Sequence, residues 1–175
     1  MAVGPPPLSC DIVVGTRPEA IKLAPVFKAL RGEPGGFAVR VVTSGRHGEI
    51  CRTALAAFGL SPGCALDAET IGSSLSDSAS ELVRAFARNI AQSHPDLLLV
   101  QGDTTTALGA ALAGFYARVA VAHVEAGLCS GDLANPSNVG TADSAILLSP
   151  SGVSDKFLPA MDRIMVNTTV AARCS

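Results

Sequence analysis

The sequence predicts an α/β protein built on a doubly wound, mostly parallel sheet. Short, continuously apolar runs recur along the chain, and none alternates in the manner of a half-exposed antiparallel strand. The stretches between the early runs have helical character. Strands covered on both faces and separated by helices make a parallel sheet with a helical layer on each side.

The first run, "CDIVVGT" at 10–16, reads as a buried strand ending on a glycine. A helix is expected over 18–31. Pro18 suits the first helical position, where a missing N–H is no loss, and Glu19 lies in the favourable field of the first turn. Pro25 falls in the interior, where it costs up to about 3 kcal/mol and kinks the helix unless packing compensates. A second strand, "AVRVVTSG" at 38–45, is followed by helices over 48–59 and 75–93. A third strand follows, "PDLLLVQGD" at 95–103. The helix over 104–117 places Gly109 and Gly114 among alanines, a composition that lets a helix backbone approach a sheet closely and predicts deep packing. "VAVAHVEAG" at 119–127 is the next strand. Beyond it comes a loop rich in Gly, Pro, Asn and Ser, then shorter apolar runs at 145–149 and 163–166. One domain over 10–170 is expected, with a flexible N-terminus at 1–9 and a tail at 171–175.

Composition narrows the function classes. A chain of 175 residues, 48% hydrophobic, is long enough for one full core. Net charge is only -2 and no basic run or RNA-type aromatic motif occurs, so the electrostatic footprint of a nucleic-acid binder is missing. The apolar segment 107–128 is broken by Arg118, His123 and Glu125 and suits a buried helix and strand better than a membrane span. The N-terminal prolines argue against a signal peptide. A soluble, cytoplasmic protein without membrane or nucleic-acid partners is expected. Its five cysteines form no CxxC pair, which supports reduced thiols over a disulfide framework or a zinc site.

Ligands of open parallel sheets bind outside the carboxyl ends of the strands. Here those ends read "GTRPEAIK", "SGRHGE", "QGDTTT" and "HVEAG", each a glycine beside charged or hydroxyl residues. Arg17 offers a bidentate fork to phosphate or carboxylate, and Lys22, one turn on, leans back toward the same space. A surface ion pair of Glu19 with Lys22 is an equally good reading of those charges alone. Thr104 is a plausible N-cap, and Asp103 serves a turn, a substrate, or both. Glu125 stands in an apolar run, where partial desolvation raises a carboxyl toward general acid or base use. His123, on the same strand face, reads best as a satisfied core histidine. No GxGxxG or Walker loop is present, which lowers ordinary NAD or ATP binding.

At "GTRPEAIKLAP", "QGDTTT" and "HVEAGL.SGDL" the sequence strongly resembles the non-hydrolysing UDP-N-acetylglucosamine 2-epimerases. "TSGRHGEI" and "DRIMVNTTV" are similar to two further segments of that family, so the resemblance covers most of 10–170. It implies a Rossmann-like domain, the N-terminal half of a glycosyltransferase-B-type fold whose second domain this chain lacks. It also implies UDP-N-acetylglucosamine (UDP-GlcNAc) and UDP as ligands, no redox cofactor and no required metal. The family inverts C2 of UDP-GlcNAc by eliminating UDP to a glycal and adding it back. By the same resemblance Asp103 and Glu125 match the acid/base carboxylates, Arg17 and Lys22 the substrate-binding pair, and His47 the histidine of the second motif. The sequence departs from the family at Cys129, in place of an arginine, and at Arg46, in place of a glutamine. Val139 and Gly140 stand where paired glutamates are expected. Two readings follow: an epimerase whose second domain is supplied by another chain or a homo-oligomer, or is encoded in the gene but lost from this sequence, or a catalytically silent UDP-sugar-binding or interaction module. An unrelated phosphate-binding domain of the same fold is disfavoured by the motifs.

Overall fold

The computed structural model describes residues 6–33, 36–45, 48–67 and 74–124. In chain order the elements are β1 (Leu8–Val14), α1 (Arg17–Gly32), β2 (Phe37–Thr43), α2 (Gly48–Ala56), β3 (Cys64–Ala65), α3 (Leu75–Ser93), β4 (Leu97–Gln101), α4 (Thr105–Ala117) and β5 (Ala120–Val124). All strand pairs are parallel, in the order β3-β2-β1-β4-β5. The expected doubly wound α/β sheet is present. Its strand order reverses between β1 and β4, and such a switch point opens a crevice at the carboxyl ends of those two strands.

Continuous apolar runs make sense because the sheet is covered twice. Cys10, Ile12 and Val14 of β1, with Leu97 and Leu99 of β4, pack under Leu23, Phe27 and Leu30 of α1 and Leu55 of α2. Val13, Val42, Leu98 and Val100 point the other way, onto Leu82, Phe86 and Ile90 of α3 and the alanines of α4. Successive strand residues thus enter different cores, each apolar, so no alternation shows in the sequence.

Helix positions match the expected ones closely. Helix α1 runs through Pro25 without ending. Pro25 and Ile21, whose carbonyl lost its usual donor, both lie on the exposed face, where solvent can reach that oxygen. Helix α4 approaches as its glycines require. A Cβ on Gly114 would meet Val121 at 2.7 Å and Leu98 at 2.8 Å, and one on Gly109 would meet Leu82 at 2.8 Å. Only one side of α4 is deep, however, since Leu112, Phe115 and Tyr116 are exposed on the other.

Three features differ from expectation. Residues 8 and 9, assigned above to a flexible terminus, belong to β1, where the Ser9 N–H and hydroxyl both donate to the Asp96 carboxylate at 2.8 and 2.9 Å. The two-residue β3 is not signalled in the sequence. Asp11 is buried inside β1, held by Arg40 through two bonds of 2.9 and 2.6 Å and by the Asn89 amide at 3.3 Å. This pair lies at the middle of β1 and β2, away from their carboxyl ends, and is structural. The apolar runs at 145–149 and 163–166 lie outside the described residues.

Candidate functional site

The crevice at the switch point is built from the β1–α1 and β4–α4 connections. Residue 16 begins the first helix: Thr16 is extended (φ -135°) and forms a capping box with Glu19, with Pro18 in the first turn. Glu19, however, does more than cap. Its side chain turns inward and the residue is 2% exposed. One carboxylate oxygen, Oε2, accepts the Gly15 N–H at 2.5 Å and the Thr16 N–H at 2.9 Å. The other, Oε1, accepts the Thr104 hydroxyl at 2.5 Å from a connection 85 residues away in sequence. Burial pushes the Glu19 carboxyl above the ordinary glutamate range, against the lowering pull of its bonds from Thr104, Gly15 and Thr16.

Thr104 caps α4, its Oγ1 accepting the Ala107 N–H at 3.1 Å. The same hydroxyl thus accepts from its own helix and donates to Glu19. Gly15 makes this closeness feasible: a Cβ there would lie 2.2 Å from Thr106 Oγ1 and 2.5 Å from Thr106 Cβ. Gly102, with φ +73° in the left-handed region that favours glycine, turns the chain out of β4. Its carbonyl accepts from His123 Nε2 at 2.8 Å, so that nitrogen carries the hydrogen, and its N–H donates to the Val124 carbonyl at 3.3 Å. His123 is half-buried and bonded, the core role expected of it. Two connections and a strand end of the rim are therefore joined: β1–α1 to β4–α4 through Glu19, and β4–α4 to the end of β5 through Gly102.

Arg17 opens α1 and Asp103 precedes the cap of α4, so both sit at this carboxyl edge, and both are exposed. Lys22 is exposed one turn into α1. The surface pairing of Glu19 with Lys22 gives way to an inward-facing Glu19. Glu125 and His47 lie outside the described residues; β5, which leads to Glu125, ends at the same edge. Beside β1, the Ser44 N–H donates to the Val14 carbonyl at 3.1 Å, while its buried hydroxyl has no partner among the described residues. Among the described residues no three His, Cys, Asp or Glu side chains form a group able to hold a metal.

The chemical consequence concerns anions. In nucleotide-binding sheets the amides of the first strand-helix turn commonly receive a phosphate. Here the protein's own carboxylate takes the Gly15 and Thr16 amides, so those two donors are not open to an anion. That agrees with the missing glycine fingerprint and directs attention to the exposed cations. Sequence reasoning missed Glu19 as a site-building residue, although T-x-x-E over 16–19 is a readable capping-box signature.

The family model for UDP-N-acetylglucosamine 2-epimerase matches residues 28–139, more than half of the chain. The chain belongs to the UDP-N-acetylglucosamine 2-epimerase family. The matched span contains Asp103, Glu125 and His47, while Arg17 and Lys22 lie upstream of it. The Yersinia pestis UDP-N-acetylglucosamine 2-epimerase is 43% identical over 124 residues, 71% of this chain and 33% of the relative. The Escherichia coli K12 enzyme of the same name is 41% identical over 124 residues, with the same two coverages. The chain thus spans about a third of the length of the curated relatives it matches. Among solved structures, a UDP-N-acetylglucosamine 2-epimerase superposes with a TM-score of 0.73 at 31% identity, covering 94% of this chain and 46% of that one. The Neisseria meningitidis UDP-GlcNAc 2-epimerase, solved bound to UDP-GlcNAc, gives 0.71 at 32% identity over 77% of this chain and 36% of that one. No described helix of this family member is long and apolar enough to cross a membrane.

Proposed function

We propose that this chain carries one half-site of a UDP-GlcNAc 2-epimerase, with the acid/base carboxylates and the diphosphate-facing cations on a single rim. The supporting observation is the joining of the Arg17-bearing and Asp103-bearing connections at the switch point, through Glu19 and Thr104. In the reaction a carboxylate takes the C2 proton, the C2–H electrons form the C1=C2 bond, and the C1–O bond breaks with its electrons leaving on UDP. Re-addition of UDP to C1 with return of a proton to the opposite face of C2 gives the epimer. Asp103 and Glu125 are the proton-moving groups, Arg17 and Lys22 neutralise the departing diphosphate, and His47 is a further substrate-binding group by the family motif. No redox cofactor or metal is invoked. The nucleotide and the rest of the pocket call for a second lobe beside this one. A cytoplasmic location accords with a nucleotide-sugar substrate.

A second reading, a UDP-sugar-binding module without turnover, is favoured by Val139 and Gly140 standing where the family has paired glutamates. Titration of UDP and UDP-GlcNAc into the labelled chain tests the shared half of both readings. Amide resonances near Arg17, Asp103 and Glu125 are expected to shift, and shifts confined elsewhere overturn the site. An assay for UDP-GlcNAc to UDP-N-acetylmannosamine conversion separates the two: binding without conversion by the chain alone favours the module or the need for a second lobe.

A further inference from the structure

We infer that Glu19 is a positioning residue of this rim: it fastens the connection bearing Arg17 to the connection bearing Asp103 and so fixes the distance between cation and acid. The role rests on the UDP-sugar reading above. Glu19 itself is turned inward and touches no ligand space, so it acts only through its neighbours.

The geometry singles out this side chain among the buried charges. Asp11, the comparable buried acid, is satisfied by Arg40, Asn89 and Ser93 on strand β2 and helix α3, away from the crevice. Glu19 instead bonds to the two residues immediately before Arg17 and to the residue immediately after Asp103. The hydroxyl it receives is the one that caps α4, so the bond also sets where that helix begins. Ionised Glu19 can only accept, which commits the Thr104 hydrogen to it and leaves the Thr104 lone pairs to the Ala107 N–H. One carboxylate thereby dictates hydrogen-bond direction in two connections. The missing side chain at Gly15 removes the steric obstacle to the same approach.

The test uses the full chain, 15N-labelled, as wild type, Glu19→Gln, Glu19→Ala, Thr104→Ala and Thr104→Ser. Without ligand, Glu19→Ala is expected to move the Asp103 and Ala107 amide resonances, which Glu19 does not touch directly, while those of α3 stay in place. Unmoved Asp103 and Ala107 resonances overturn the fastening whether or not UDP binds. With UDP, Glu19→Ala and Thr104→Ala are each expected to weaken binding about tenfold, the loss of one charge-assisted hydrogen bond. Glu19→Gln, which keeps the shape and one accepting oxygen but puts a donating NH2 where the other carboxylate oxygen stood, is expected to lose less, and Thr104→Ser, which keeps donor and cap, to restore wild-type binding. Wild-type UDP affinity in Glu19→Ala, or failure of serine at 104 to rescue, overturns the positioning role. A wild-type chain that does not bind UDP removes the nucleotide reading and the role with it, and the ligand-free spectra still report whether the two connections are coupled. Should Glu19→Ala fail to fold, the Thr104 pair carries both arms.

Discussion

Replacing Gly15 with alanine tests the closeness of the two connections most directly. The new Cβ would lie 2.2 Å from Thr106 Oγ1, 2.5 Å from its Cβ and 2.6 Å from its Cγ2, all inside van der Waals contact. Rotating the threonine about χ1 moves its Oγ1 and Cγ2 but not its Cβ, which stays at 2.5 Å because it is fixed to the α4 backbone. The loop must therefore move away from α4. Overpacking of this kind costs about 1–3 kcal/mol. The movement also stretches the 2.5 Å bond from Thr104 to Glu19, a charge-assisted bond worth about 1.5–3 kcal/mol. A total of about 2.5–6 kcal/mol is expected, a large fraction of the 5–15 kcal/mol typical of a domain. Urea unfolding followed by far-UV circular dichroism measures it as a lower midpoint at constant slope. Thr106→Gly removes every clashing atom at roughly a few tenths of a kcal/mol of helix propensity, so the double variant should be more stable than the sum of the singles. Gly32→Ala, whose Cβ meets nothing within 4 Å, serves as control and should be neutral or stabilising by about 0.4–1 kcal/mol. A Gly15→Ala protein within about 0.5 kcal/mol of wild type, or strictly additive singles, refutes the reasoning.

Three other outcomes are expected. Arg40→Met should cost about 2–3 kcal/mol, below the usual penalty for stranding a buried acid, because the Arg40 side chain is 34% exposed and Asn89 still holds Asp11; thermal unfolding would reveal it, and an unchanged midpoint would contradict it. Burial holds the Glu19 carboxyl above its unfolded value, so the native state binds this proton more readily than the unfolded chain does. Its contribution is then fully present below the ordinary glutamate range and lost as pH rises through the raised value; relative to Glu19→Gln the wild type should lose stability across that window, and a difference of opposite slope is incompatible with this. Burial pushes the Cys10 and Cys51 thiols upward, Cys10 with help from Asp11 and Cys51 with help from Glu19. Both should resist an aromatic disulfide reagent at neutral pH until the protein unfolds, and rapid native labelling of either would disprove their burial.

Fold class was legible in this sequence because each strand is buried on two sides, which erases alternation and leaves uninterrupted Val, Leu and Ile. Helix starts were legible where chemistry marks them, at Pro18 and at Thr104. The two-residue β3 was not, since its pairing depends on β2 lying beside it and not on its own residues. Asp11 was overlooked although the argument applied to Glu125, a charge inside an apolar run, applied to it equally; its partner Arg40 sits on the neighbouring strand, at the same register. At the site, the edge on which Arg17 and Asp103 gather followed from strand direction alone. The inward turn of Glu19 did not, because a capping glutamate and a surface ion-pair glutamate have the same local sequence, and only the arrival of Thr104 from 85 residues away distinguishes them.

The brevity of β3 bears on how this sheet avoids unwanted neighbours. Its ladder reaches only Val42 and Thr43, so the flank of β2 along residues 38–40 has no strand beside it among the described residues. A bare flank of that kind is a template for accretion by other chains. Arg40 stands there with its guanidinium committed to Asp11, a cation that any incoming strand would have to dehydrate. Exchanging the pair for well-fitted hydrocarbon, a change that often firms up a monomer, would here take the one charge of residues 38–40 off that margin.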